Sequence, residues 1–141
     1  MKFLKVLALL SIGFNFISCE AIQKATNTTG STFSLTGKWK LLSNAPENVL
    51  TGSVVTVTPL LSEGRLSTMT GSGNCFRQSD VIWKSIASDN AGGFTISNLV
   101  SGCNGLNFQP AAIYVLNADE VRLTGKNANG QDLTQVWQRV K

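Results

Sequence analysis

Residues 120–140 read EVRLTGKNANGQDLTQVWQRV. Val121 and Leu123 fall on one side of the first run, with Arg122 and Thr124 on the other, which is the two-residue period of a half-buried strand. A second run, LTQVWQRV (133–140), follows after Asn129-Gly130. That dipeptide favours a tight hairpin of type I′, whose two central residues both need positive φ. The stretch therefore predicts an antiparallel hairpin. AAIYVLNADEVRLTG (111–125) predicts a second one, sharing a strand with the first.

Working outward, the same signature recurs to the start of the domain. Strand candidates are LTGKWKLLS (35–43), SVVTVTPL (53–60), GRLSTMT (64–70), DVIWKSI (80–86), GGFTISNL (92–99), AAIYVLN (111–117), EVRLTGK (120–126) and LTQVWQRV (133–140). Turn-forming clusters such as NAPEN, SDNAGG and SGCNG separate them. No long stretch carries the apolar spacing of an amphipathic helix. Thirteen glycines and three prolines in 141 residues suit many short strands joined by turns. Consecutive hairpins with one apolar face have two common solutions, a sandwich or an up-and-down barrel, and only the barrel leaves no free edge. The expected fold is all-β: a small antiparallel eight-stranded barrel over residues 35–141. Its interior would be just wide enough for side chains or one small ligand.

The N-terminus reads as an export signal. MKFLK is a short basic stretch, and VLALLSIGFNFI is an apolar run of twelve residues, too short to span a bilayer of roughly 30 Å as a helix. Ser18-Cys19 at its end resembles the bacterial lipobox, with Phe16 standing where Leu is usual. The resemblance implies cleavage after residue 18 and lipidation of Cys19. Two or three acyl chains would anchor a domain stably where a single chain would not. Residues 19–34 are rich in Thr, Ser, Asn and Gly and read as a flexible tether. Asn27-Thr28-Thr29 matches a glycosylation acceptor, but behind a bacterial lipobox it is tether chemistry only.

Export changes how the other two cysteines are read. Cys75 (GSGNCFRQ) and Cys103 (SGCNG) lie in turns, and disulfides persist in an oxidising compartment. With Cys19 committed to lipid they form an even pair, and a Cys75–Cys103 disulfide is expected. The competing chemistries lack parts: the chain has no His for a zinc site and no C-x-x-C redox motif.

Gly37-Lys38-Trp39 on the first strand and Trp137-Gln138-Arg139 on the last resemble the G-x-W signature and closing basic residue of lipocalins. That resemblance implies Arg139 packed across Trp39 at the barrel base, with Gly37, Trp39 and Arg139 as a closure set. More broadly, about 105 residues are similar to the small lipocalin-like lipoproteins of Bacteroidetes-type bacteria, which open with L-x-G-x-W-x-L. The chain departs from lipocalins in its short strands and in showing no packed helix. A second, lesser resemblance, to META/HslJ-like lipoprotein domains, rests on Gly102-Cys103-Asn104, which comes late in this chain.

Composition narrows function. Lys plus Arg number twelve against eight acids, and beyond residue 18 the basic count is ten, scattered singly. Nucleic-acid surfaces need clustered cations and stacking platforms. Without His there is no Ser-His-Asp set and no commonest general base, and the acids fall mostly in turns and the tether. No enzymatic activity, cofactor or metal is expected. The expected role is that of an envelope lipoprotein whose barrel binds a small apolar or amphipathic molecule, lined by Val55, Val57, Phe94, Ile96 and Tyr114. The alternative is a solid barrel that binds another envelope protein. Trp39 reads as a core plug at the barrel end. Trp83 and Tyr114 read equally as pocket-lining or outer-face residues, and Trp137, in phase with Arg139, is expected outside the barrel.

Overall fold

The computed structural model of the protein describes residues 33–141. They form eight strands: β1 (Gly37–Ala45), β2 (Val54–Thr58), β3 (Glu63–Thr68), β4 (Val81–Ser88), β5 (Phe94–Ser101), β6 (Asn107–Asn117), β7 (Glu120–Lys126) and β8 (Asp132–Arg139). Each pairs antiparallel with the next, and β8 returns to β1, closing an up-and-down barrel. Closure is carried by pairs such as Trp39↔Arg139, Leu41↔Trp137 and Asn44↔Gln135. The leader (1–18), Cys19, Asn27 and the tether to residue 32 lie outside the described residues.

Alternation sets the faces. Phe94, Ile96 and Asn98 of β5, Val121 and Leu123 of β7, and Leu133, Gln135 and Trp137 of β8 are buried, with exposed or half-buried residues between them. The pattern is broken where a strand bulges. β1 shifts register between Leu41 and Ser43, and β4 between Lys84 and Ala87, where Ser85 takes φ 55°. A bulge leaves an extra residue unpaired and re-aims the side chains beyond it. In β1 this puts Asn44 inside, where Leu41 would otherwise be followed by Ser43.

β6 begins at Asn107, four residues before the start read from the sequence, and carries Pro110 as its fourth residue. Proline lacks an N–H and reads as a break in a strand, yet edges tolerate it. Here β6 outruns β7: Pro110 pairs with Ser97 on one side, while pairing to β7 starts only at Ala111↔Gly125.

The Asn129-Gly130 turn is not type I′. Gly130 alone has positive φ, at 77°, and the loop runs from Asn127 to Gln131. The Asn127 side-chain oxygen accepts from the Asn129 and Gln131 N–H groups, both at 2.9 Å, and holds a longer loop than two residues. An asparagine side chain standing in for backbone in this way is a turn former in its own right.

Candidate functional site

The barrel has two unlike ends. One gathers the start of β1, the end of β8 and the β6–β7 turn. There the Arg139 guanidinium lies 4.3 Å from the Trp39 ring and 5.4 Å from Phe33. Its nitrogens donate to the carbonyls of Ser34 (2.7 Å), Thr36 (2.8 Å) and Ala118 (3.2 Å). The Trp39 indole donates to Leu35 O at 2.8 Å. Gly37, with φ 121°, leaves room for the guanidinium: a Cβ there would come within 3.3 Å of Nη1. Gly37, Trp39 and Arg139 thus form a plug in which the indole nitrogen and all three guanidinium nitrogens each donate to a carbonyl.

The interior above the plug is occupied. Trp39, Trp83, Trp137, Leu41, Leu66, Ile113 and Leu123 are all under 2% exposed. Trp83 and Trp137 meet edge to face with centroids 4.8 Å apart. Space for Trp83 comes from Gly64 directly opposite, where a Cβ would come within 2.9 Å of Val55 and 3.0 Å of Trp83. A closed barrel of this kind is in principle capable of binding a ligand, but here large aromatics take up the room.

Four of the five expected lining residues, Val55, Val57, Phe94 and Ile96, are buried and part of this packed core. Tyr114 is a correction: it is 52% exposed and lies on the outer wall opposite Arg122. Ile113 takes the inward position, so alternation turns Tyr114 out; the run AAIYVL is apolar throughout and does not reveal its phase. Trp137 is a second correction. It does share its phase with Arg139, but that face points inward, and Arg139 reaches across the barrel end only because it is the last residue of β8. Trp83, readable either way from sequence, is inside.

The opposite end is built from the β1–β2, β3–β4, β5–β6 and β7–β8 connections. The expected disulfide is present: Cys75 in the β3–β4 loop is bonded to Cys103 in the β5–β6 loop. Beside it, Gly102 N donates to Asn74 O at 2.8 Å, and a Cβ on Gly102 would come within 2.9 Å of the Cys75 carbonyl. The two loops are thus pinned by covalent and backbone bonds together.

These loops rim a hollow of about 20 Å³. Its walls carry carboxamides from several strands. Trp137 donates to Gln135 Oε1 (3.1 Å), Gln135 donates to Asn44 Oδ1 (3.4 Å), and Asn44 donates to Val49 O (2.6 Å). Glu47 receives Asn127 Nδ2 on one oxygen (2.8 Å) and Asn74 Nδ2 on the other (3.1 Å), so loops 27 and 80 residues away converge on one carboxylate. Asn98 faces the hollow from β5 and is 3% exposed. Its carboxamide has no partner among the described residues.

None of these polar residues was singled out from sequence. The signal for two of them was there: Asn98 continues the inward phase of Phe94 and Ile96, and Gln135 lies midway between Leu133 and Trp137. A polar residue in an apolar phase marks either strain or a site. Glu47, Asn74 and Asn127 come from loops, and only tertiary folding assembles them. No family model, curated protein or solved structure matches the chain.

Proposed function

We propose that the protein is an exported bacterial envelope lipoprotein, held to a membrane through acyl chains on Cys19, whose barrel serves as a rigid interaction module for another envelope protein rather than as a carrier. The observation that supports this reading best is the filled interior. Three tryptophans occupy the space a calyx would need, and the hollow at the loop end, about 20 Å³, has room for about one water molecule. Pockets that enclose drug-sized ligands run to roughly 300–1,000 Å³. Export is supported by the leader and by the disulfide between exposed loops, since such bonds persist in oxidising compartments. Among the described residues no helix is long and apolar enough to cross a membrane. Attachment is assigned to the lipid for a different reason, the Ser18-Cys19 pattern.

Apolar side chains on the outside support contact with a partner. Leu60 and Leu61, adjacent in the turn after β2, are 93% and 58% exposed and form a small apolar tip that a partner could cover.

Native mass spectrometry of the protein released from its own membrane tests the reading. The expected result is a chain cleaved after residue 18, carrying acyl mass on Cys19, and retaining no apolar small molecule. A stoichiometric fatty acid or lipid held non-covalently would return the carrier reading, and an intact unmodified leader would remove the anchor.

A further inference from the structure

We infer that the hollow at the loop end is a binding site for an ammonium head group, that of a small free amine or of a lysine side chain. Asn98 lines the hollow from inside the barrel wall and is 3% exposed, and its carboxamide makes no hydrogen bond to another described residue. Its amide opens onto the hollow, where an occupant can take up its hydrogen-bonding capacity. Glu47 supplies the charge. Among the described residues it is the only ionisable side chain on the walls, and each of its oxygens already receives one amide N–H, which fixes the carboxylate while leaving acceptor capacity open.

Size, shape and charge select among occupants. A volume of about 20 Å³ admits something the size of one water molecule, and an ammonium group is that size. An anion is disfavoured because no Lys or Arg among the described residues lines the hollow and Glu47 would repel it. A metal ion is disfavoured by the donors: among the described residues no three His, Cys, Asp or Glu side chains gather to hold one. An ammonium is satisfied by hydrogen bonds to a carboxylate and amide oxygens, and the half-buried Phe76 ring in the same walls can flank its alkyl stem. The site is preorganised, since Asn74 is next to the Cys75–Cys103 bridge and Asn127 is fixed by its own turn. This inference does not require the interaction reading: a free amine would bind whether or not a partner protein exists.

The test is a titration of the isotope-labelled full chain with methylammonium chloride, followed at the Asn98 side-chain amide and the Trp137 indole by NMR. Sodium chloride at equal ionic strength and methanol at equal concentration serve as references. Saturable shifts with methylammonium alone are expected. Glu47→Gln should weaken binding about tenfold, the scale of one lost charge-assisted hydrogen bond. Asn98→Leu, which fills the hollow with an apolar group, should abolish it while the indole dispersion of a folded barrel persists. This second variant keeps the test decisive if Glu47→Gln loosens the loops. A parallel titration with N-acetyl-lysine amide distinguishes the sources: tighter binding than methylammonium assigns a partner's lysine, weaker binding assigns a free amine. Shifts no larger than those with sodium chloride, equal shifts with methanol, or unchanged affinity in both variants would overturn the site and leave a hollow that holds only water.

Discussion

Trp83 and Trp137 share the barrel interior and a ring contact, but their indole nitrogens differ. Trp137 Nε1 donates to Gln135, whereas Trp83 Nε1 is buried without a partner. Replacing each by phenylalanine removes a similar volume, so the difference between the two variants isolates the nitrogen. Trp137→Phe strands the Gln135 oxygen and should cost about 1 kcal/mol more than Trp83→Phe in denaturant unfolding. Equal losses would show that the Trp137 bond contributes nothing net. Gly64 makes the complementary prediction. A methyl there meets Val55 and Trp83 at or below 3.0 Å, so Gly64→Ala should destabilise by about 1–3 kcal/mol through overpacking. Its place on β3 was readable as a strand glycine, but the indole it accommodates was not. Trp83 comes from another strand, and no local pattern states that the two face each other.

At the scale of elements, the β7–β8 hairpin was legible because Val121, Leu123, Leu133 and Trp137 keep a strict two-residue phase. Its turn was misjudged because the Asn-Gly pair acts within a loop already organised by Asn127. Across that hairpin Lys126 donates to Asp132 at 2.6 Å, and the hydrogen bond, followed by the lysine's charge, holds the Asp132 carboxyl below the usual aspartate range. A folded pKa below the unfolded one means the contact contributes above the ordinary aspartate range and is lost as pH falls through the lowered value. The carboxylate is fully exposed, so the expected readout is local: an acid-shifted carboxyl titration by NMR, returning upward in Lys126→Met. The disulfide is the second element-scale test. It closes a 28-residue separation between two loops, and replacing both cysteines by serine should cost about 3 kcal/mol in the chain-entropy picture. A loss under about 1 kcal/mol would mean the unfolded chain gains little freedom when the bridge is gone.

Over the whole molecule, closure depends on β1 meeting β8, two strands almost the full domain apart in sequence. Arg139 reinforces that junction with three carbonyl contacts and an indole face. Arg139→Lys keeps the charge but cannot reproduce the planar fork. It should lower stability by about 1–3 kcal/mol and raise amide exchange first along β1 and β8. Uniformly raised exchange across all strands would argue against a local latch.

Strand count, the single apolar face, the cysteine pair and the terminal Gly37, Trp39 and Arg139 were all available to a reader of the sequence. Each depends on local spacing or on residue types that chemistry restricts. Which aromatics fill the barrel, and hence whether it is hollow, was decided only by tertiary structure. The same holds for the carboxamides gathered around Glu47. Inward phase is relative until strands register against one another, bulges in β1 and β4 reset that phase partway along, and loop residues acquire neighbours only when the sheet has closed.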